Sequence, residues 1–176
     1  MNDFPLKPNL LLGTTVVPAQ VSGGTGSVWN DWAAAGKVRD GSDPAATAGH
    51  FARWHDDVMT MRALSVQTCR LGADWARIEP EEGSFDAGAT AQFKEELMLM
   101  IGMGIRPLIV LHQCSDPAWF AKKGGWEKYD NVRCFLIFAA GCLQIHFRNH
   151  NTENQIKDDK SSQAKRNNHP GILCCR

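Results

Sequence analysis

The stretch Thr68-Cys-Arg-Leu-Gly-Ala-Asp74, followed directly by Trp75-Ala-Arg-Ile-Glu-Pro80, decides the fold of this chain. Its first half is a mostly apolar run of strand length that ends at a turn, and it predicts a strand over residues 68–74. A second apolar run, Ile105 to Leu111, predicts another strand with both faces covered. The spacing of the two runs is close to the roughly 31 residues per βα unit of a typical eight-stranded barrel.

Helical patterns alternate with these strands. Apolar residues from Phe51 to Leu64 recur at spacings of three and four, which predicts a helix with one apolar face. A second helix is predicted from an N-cap at Asp86 to the glycines at 102–104, and a third from Lys128 to about Cys142. With a first strand at Asn9 to Thr15, the order of elements predicts an α/β fold with a parallel sheet, about three βα units of a (β/α)₈ barrel.

Size and charge limit what the chain can do. Its 176 residues are fewer than the roughly 250 of a complete (β/α)₈ barrel. Its 19 basic and 19 acidic residues leave no net charge to attract nucleic acid or an anionic membrane. No apolar run approaches the length of a secretory or membrane-spanning segment. We therefore expect a soluble, cytoplasmic protein without a nucleic-acid or membrane partner.

Composition changes near residue 141. All six tryptophans lie at or before Trp126, whereas the residues after 140 are mostly polar and contain one aromatic, Phe147. Such a segment buries too little apolar surface to offset the entropy lost on ordering. We therefore predict a barrel portion over residues 1–140 and a polar, poorly ordered tail over residues 141–176.

Several motifs in register along the chain resemble family 1 of the glycoside hydrolases. They are Leu12-Gly-Thr-Thr15 with Ala19-Gln-Val-Ser-Gly-Gly24, Ser27-Val-Trp-Asn-Asp-Trp32, His50-Phe-Ala-Arg-Trp-His-Asp-Asp-Val58, Cys69 to Pro80, and Pro117-Ala-Trp-Phe120 with Gly124-Gly-Trp126. The segment from Cys69 to Pro80 is similar to the family pattern Arg-x-x-x-x-Trp-x-Arg-Ile-x-Pro. The resemblance covers Leu11 to about Ala140, the N-terminal portion of such an enzyme.

The resemblance implies a retaining β-glycosidase that acts on a β-glycoside or oligosaccharide without metal or organic cofactor. It implies that Gln20 and Gln113 bind the sugar, because an amide both donates and accepts hydrogen bonds. In a complete barrel, Arg70 would orient the catalytic nucleophile. Gln113 stands where the family has a histidine, Cys114 where it has a large aromatic residue, and Ser22 where it has a glutamate. Whether the sugar is a glucoside, a galactoside or a 6-phosphoglycoside stays open.

The two catalytic carboxylates of the family are missing from their expected places. The family supplies them in Asn-Glu-Pro after strand four and in Thr-Glu-Asn-Gly after strand seven. The segment Thr152-Glu-Asn-Gln155 imitates the second motif but follows strand three too closely, so we interpret it as a coincidence. Glu79, Glu81 and Glu82 are expected on a solvated turn. We therefore assign no catalytic residue and expect the chain alone to be inactive.

Two alternatives remain open from the residues. A metal site would use four residues after position 140: His146, His150, Cys174 and Cys175. Adjacent cysteines seldom chelate one ion, so we predict no metal and interpret all six cysteines as reduced thiols. The second alternative is a non-catalytic carbohydrate-binding or interaction fragment, or a truncated product without independent function.

Three tryptophans also admit two interpretations. Trp75, Trp119 and Trp126 could stack on sugar rings, since an aromatic face suits the apolar side of a sugar. Tryptophans in such positions more often pack in the core or against loops. We therefore favour the packing interpretation and leave these three residues out of the predicted sugar site.

We expect limited proteolysis to remove residues 141–176 first, because their composition offers few large apolar side chains to hold them. Mass spectrometry of the products over time measures this, and the chain unfolded in urea, cut throughout its length, is the control. Fragments that keep the tail while residues 1–140 are already cut would contradict the predicted boundary.

Overall fold

Three parallel strands form the centre of the fold. The structure, a computed structural model, describes residues 9–24 and 26–144. Strand β1 is Gly13–Val16, β2 is Thr68–Gly72 and β3 is Arg106–Val110. They form one sheet in the order β1-β2-β3, with β2 hydrogen-bonded to both neighbours. The predicted parallel sheet is confirmed, and β2 and β3 lie inside the predicted apolar runs.

The first strand is shorter than predicted. We expected Asn9 to Thr15, but strand pairing begins at Gly13. Asn9 has a left-handed φ of 72°, which no strand residue adopts. The backbone N–H of Leu12 donates to the side-chain oxygen of Gln67 at 3.0 Å instead of joining the ladder. The apolar run therefore extends beyond the part of the chain that is hydrogen-bonded as a strand.

Two long helices connect the three strands. The helices are α1 (Pro18–Val21), α2 (Val28–Ala34), α3 (His50–Ala63), α4 (Trp75–Ile78), α5 (Ala87–Gly102), α6 (Ala118–Lys122) and α7 (residues 132–144). The predicted N-cap of α5 is present, because the Asp86 carboxylate accepts the backbone N–H of Ala89 at 2.6 Å. Helices α1, α2, α4 and α6 are too short to show a helical period, and the sequence did not predict them.

The last helix begins later than predicted. We expected it to start at Lys128, but two 3₁₀ turns, Gly125–Glu127 and Tyr129–Asn131, precede it. The Asn131 side-chain amide donates to the carbonyl of Gly125 at 2.9 Å and closes this segment on itself. Gly124 enters the turns with a left-handed φ of 106°, which a residue with a side chain rarely adopts.

One face of the sheet packs against α3 and α5. Cys69 and Leu71 of β2 are buried on this face. The Thr14 hydroxyl of β1 lies 3.5 Å from the Met61 sulfur of α3. Leu71 lines a small cavity together with Phe93 of α5, which is also buried. Because side chains alternate along a strand, every second residue of the sheet belongs to this covered face.

The opposite face of the sheet is uncovered in the part of the chain that the structure describes. Thr15, Arg70 and Leu108 are register partners, so their side chains share this face. Leu108 is 59% exposed. In a closed barrel the same face points into the interior, where side chains from all the strands fill it in layers. We call this surface, with the outer edges of β1 and β3, the open face.

An aromatic cluster forms a second core beyond the end of β2. Trp75 is fully buried at its centre. Its ring stacks on Phe138 with centroids 5.2 Å apart, and the Phe120 and Trp119 rings lie 4.8 Å and 6.0 Å away. Such ring contacts add to the free energy gained from burying the apolar area. The packing interpretation of Trp75 agrees with this position.

Glu79 corrects one expectation. We predicted it on a solvated turn, but the residue is only 2% exposed. Its carboxylate accepts the Trp75 indole N–H at 2.7 Å and the Gly83 backbone N–H at 2.8 Å. Its backbone carbonyl accepts the Trp119 indole N–H at 2.9 Å. A buried carboxylate is tolerated here because several donors satisfy it, and charge alone predicted the wrong environment.

The predicted boundary near residue 141 stays a prediction. The chain divides after Ala139 into two units, and the second is described only for residues 140–144. Most of the predicted tail, residues 145–176, therefore lies outside the described residues, and its predicted poor ordering stays untested. Among the helices of residues 9–24 and 26–144, none has the length and apolar character that a membrane crossing requires.

We predict that the chain self-associates through the open face. A few hundred Å² of apolar surface left in water corresponds to several kcal/mol at about 25 cal/mol per Å², and unpaired strand edges favour further pairing. Replacing Leu108 by Lys places a charge on this face and should shift the chain towards monomer. Size-exclusion chromatography with light scattering measures the change.

A matched control distinguishes association through the open face from non-specific hydrophobic association. Ile137 of α7 is 50% exposed, and Ile137→Lys introduces the same charge away from the sheet. We expect this variant to associate like the unmodified chain. An unmodified chain that is monomeric, with a cooperative denaturant transition, would contradict the prediction.

Candidate functional site

The predicted site residues lie on or just after the three strands. Gln20 belongs to the four-residue helix α1, which begins at Pro18, shortly after the end of β1. Arg70 is the middle residue of β2, and Gln113 follows the end of β3. In parallel α/β folds, functional side chains gather at the carboxyl ends of the strands. Gln20 and Gln113 therefore follow the strand ends at which a sugar contact is expected.

Arg70 and Gln113 meet directly. The Arg70 guanidinium Nη1 donates to the side-chain oxygen of Gln113, and both residues are half-buried. Within residues 9–24 and 26–144, Arg70 forms no ion pair with a carboxylate. The neutral amide of Gln113 leaves the guanidinium charge uncompensated. A guanidinium fork held on a strand is suited to a carboxylate or another planar acceptor.

Gln20 lies in a cleft of about 400 Å³. The cleft is also lined by Trp29 of α2, by Pro44 and by Cys114, the residue after Gln113. Gln20 and Cys114 are exposed, so both can be reached from solvent. The structure thus brings Arg70 and Gln113 into contact and places Gln20 in a cleft bordered by the residue next to them.

Asp116 organises the loop after β3, and the sequence did not reveal this role. Its carboxylate oxygen Oδ1 lies 2.9 Å from His112 Nε2 and accepts the Trp126 indole N–H at 3.0 Å. The His112 and Trp126 rings pack with centroids 4.9 Å apart. The backbone carbonyl of Asp116 also accepts the Val28 N–H at 2.9 Å. One residue therefore ties the loop after β3 to the start of α2.

Arg77 ties the loop after β1 to the segment after β2. Its guanidinium donates to the Asp74 carboxylate at 3.2 Å and to the carbonyl of Gly23, and it lies 3.9 Å from the centre of the Phe51 ring. Burial raises the pKa of Asp74, and the charge and hydrogen bonds of Arg77 oppose that rise only in part. Gly24 has a left-handed φ of 107°, which favours glycine, and a Cβ there would also crowd this guanidinium.

Trp119 and Trp126 also serve packing. The Trp119 indole is bound to the backbone of Glu79, and Trp126, which is 44% exposed, is bound to Asp116. Both rings lie about 6 Å from Trp75. Trp29, in the cleft with Gln20, is the aromatic residue that sequence reasoning missed as a possible sugar contact. Its Ser-x-Trp motif was visible, but nothing in the spacing related it to Gln20.

His50 forms a buried charge cluster under the ends of β1 and β2. Its Nδ1 lies 2.7 Å from Asp57 and its Nε2 lies 3.0 Å from Glu96 of α5. An imidazole that donates to two carboxylates carries two protons and a positive charge. Burial lowers the pKa of His50, but the hydrogen bonds and charges of Glu96 and Asp57 together outweigh it, so the pKa lies above its ordinary value.

Comparison with known families identifies the chain. The model of "Glycosyl hydrolase family 1" matches residues 15–155, most of its length. The chain belongs to glycosyl hydrolase family 1. The resemblance that the strand-end motifs indicated is thereby confirmed.

This chain is 24% identical over 157 residues to beta-glucosidase A of Acetivibrio thermocellus, covering 85% of the chain and 34% of that protein. It is also 24% identical over 143 residues to 6-phospho-beta-galactosidase 1 of Streptococcus pneumoniae, covering 79% of the chain and 30% of that protein.

Solved structures of the family give the same picture of the fold. The crystal structure of the GH1 beta-glucosidase from Exiguobacterium antarcticum B7 matches with a TM-score of 0.75 and 29% identity, covering 80% of the chain and 33% of that protein. This chain therefore spans about a third of the length of the relatives that it matches. Its three βα units are a partial (β/α)₈ barrel, as predicted.

The comparisons do not test the roles of single residues. The sugar-binding roles of Gln20 and Gln113 and the orienting role of Arg70 stay predictions. Among residues 9–24 and 26–144, no three His, Cys, Asp or Glu residues are grouped so that they could hold a metal ion. His146, His150, Cys174 and Cys175, the residues of the alternative metal site, lie outside the described residues. So does the Thr152-Glu-Asn-Gln155 segment.

The His50 cluster predicts a stability that falls as pH rises. A histidine with a raised pKa in the folded state contributes fully below its unfolded pKa of about 6.5, and the contribution is lost as pH rises through the folded value. The free energy of unfolding in urea should therefore decrease from about pH 6.5 upward. The Leu108→Lys variant, which we expect to be shifted towards monomer, is the suitable background for the measurement.

Two histidine variants test the assignment. His50→Gln should cost roughly 3 kcal/mol, because two carboxylates lose a buried partner, and should flatten this pH dependence. His55 is the matched control, since its side chain is 61% exposed, and His55→Gln should leave both stability and pH dependence unchanged. A pH dependence that persists in His50→Gln would contradict the role of this cluster.

Proposed function

We propose that this chain supplies the first three βα units of a retaining β-glycosidase, together with part of its sugar-binding subsite. Arg70 carries the proposal. It lies in the middle of β2, contacts Gln113 beyond β3 and forms no ion pair within the described residues. A fixed, charged guanidinium at the centre of a barrel face is suited to hold a catalytic carboxylate ionised and oriented.

The two glutamines are proposed to bind the sugar. Gln20 opens into the 400 Å³ cleft, and its amide can donate to one hydroxyl and accept from the next. Gln113 shares its oxygen with Arg70, which leaves its NH₂ group to donate to a sugar hydroxyl. Neither amide carries a charge, so this part of the subsite recognises hydroxyl groups.

The proposed reaction needs two carboxylates that we do not assign in this chain. A retaining glycosidase uses a nucleophile and an acid/base about 5 Å apart on either side of the anomeric carbon. Arg70 would orient the first of these when the barrel is complete. The double displacement uses carboxylates and water, so we propose no metal or organic cofactor. The proposed location is the cytoplasm, and the sugar remains a glucoside, a galactoside or a 6-phosphoglycoside.

We predict that the chain alone releases no nitrophenol from aryl β-glucosides or β-galactosides above a buffer blank. A chimera in which residues 1–140 replace the corresponding third of beta-glucosidase A should release it, since it restores both carboxylates beside Arg70. Arg70→Met in this chimera should lower kcat about 100-fold, as loss of one preorganised charged group in an active site does.

The control variant is Arg106→Met. Arg106 is an exposed arginine at the start of β3, away from the strand ends that carry the site, and its loss should change kcat little. A folded chimera with full activity in Arg70→Met would refute the orienting role. Hydrolysis by the chain alone, abolished by mutation of one of its own carboxylates, would refute the absence of catalytic residues.

A further inference from the structure

A thiol, an amine and a carboxylate meet on the outer side of the fold, away from the proposed sugar site. Cys134 lies on α7, Lys123 follows the end of α6, and Glu82 lies in the turn after α4. The Cys134 sulfur is 3.7 Å from the Lys123 Nζ and 3.6 Å from a Glu82 carboxylate oxygen. Lys123 also donates to that same Glu82 oxygen. Three segments distant in sequence thus bring their reactive groups together.

A cavity gives small molecules access to this group. Glu82, Lys123 and Cys134 line one side of a cavity of about 570 Å³, and Asp130 and Arg133 contribute further charges to its wall. Cys134 is itself 9% exposed, whereas Lys123 and Glu82 are partly exposed. The cavity is large enough for a molecule the size of hydrogen peroxide, and Cys134 and Lys123 both form part of its wall.

The groups around Cys134 suit a reaction of its oxidised form. A thiolate is the form that reacts with peroxides, and alkaline pH increases its fraction. The first product, a sulfenic acid, condenses with a nearby nucleophile such as a thiol or a nitrogen. In this structure the Lys123 amine lies beside the sulfur, and its hydrogen bond to Glu82 holds it there.

We propose that Cys134 and Lys123 form a reversible sulfenamide cross-link when the protein meets a peroxide. In the first step the Cys134 thiol reduces hydrogen peroxide to water and becomes a sulfenic acid, a two-electron oxidation of sulfur. At alkaline pH Lys123 loses its ammonium proton to hydroxide in solution, and the neutral amine attacks the sulfur. The S–N bond forms, the S–O bond breaks, and the oxygen leaves as water with a second proton from the nitrogen. A thiol reductant cleaves the S–N bond and restores both side chains.

Cys69 and Cys114 lack this combination. Cys69 is fully buried, and burial raises the pKa of its thiol, which lowers the thiolate fraction. Cys114 is exposed in the sugar cleft, but no lysine lines that cleft. Cys114 is therefore an internal control for oxidation without a neighbouring amine.

The cross-link would join the end of α6 to α7 and hold the Glu82 turn between them. All three segments surround the Trp75 cluster, so the bond would stiffen the second core without touching Gln20, Arg70 or Gln113. The Glu82 hydrogen bond raises the pKa of Lys123, so condensation is faster at mildly alkaline pH than at neutral pH.

The test treats the full chain with hydrogen peroxide at mildly alkaline pH, digests it and maps peptides by mass spectrometry. The expected product is a peptide pair joined through Lys123 and Cys134, lighter by two hydrogens, about 2 Da, and separated by a thiol reductant. Cys114 should give sulfenic or higher acids without a linked peptide.

Variants locate the amine. Lys123→Arg keeps the charge beside Glu82 but removes the condensing amine, so the linked peptide should disappear and trapping of Cys134 sulfenic acid by dimedone should rise several-fold. Lys122→Arg is the matched control. The Lys122 side chain neighbours Lys123 in sequence but is 75% exposed and outside this group, so the link should persist. The proposal would be overturned if Cys134 gave a sulfinic acid without any linked peptide. It would also be overturned if Lys123→Arg, or the unmodified chain in urea, gave as much linked peptide as the folded, unmodified chain.

Discussion

A parallel sheet needs cover on both faces, and this requirement explains most of the structure. Helices α3 and α5 cover one face, where Cys69 and Leu71 are buried. The second face carries Arg70 between Thr15 and Leu108, and nothing in the described chain closes over it. In a complete barrel that face belongs to the interior and to the catalytic centre. The surface that makes the chain prone to associate is therefore the one on which its proposed function depends.

Acidic residues fix the loops that frame this surface. Their carboxylates accept hydrogen bonds from groups within ten residues in sequence, as Glu79 does from Trp75 and Asp116 from Trp126. The backbone carbonyl of Glu79 reaches a distant segment, because it accepts the Trp119 indole N–H. Such contacts set the loop positions more narrowly than apolar packing does, because a hydrogen bond tolerates little change in distance or angle.

The sequence was informative where structure follows local pattern. The apolar runs around β2 and β3 and the cap at Asp86 were predicted within a few residues, because burial and capping depend on neighbouring residues. The start of β1 was wrong because Gln67, distant in sequence, takes the hydrogen bond of Leu12. The burial of Glu79 and the role of Asp116 were missed because charge alone does not show which donors will satisfy a carboxylate. The meeting of Arg70 with Gln113 requires the register of the sheet, which no local pattern contains.

The aromatic cluster also constrains the order in which the chain can fold during synthesis. Trp75 follows directly on β2, but the rings that bury it, Phe120, Phe135 and Phe138, come much later in the chain. A nascent chain that ends after α5 leaves this indole without its aromatic neighbours. Contacts of large sequence separation form slowly, so the ribosome must deliver residues up to Phe138 before the second core closes. Until then the growing chain presents Trp75 to chaperones as an unburied apolar site.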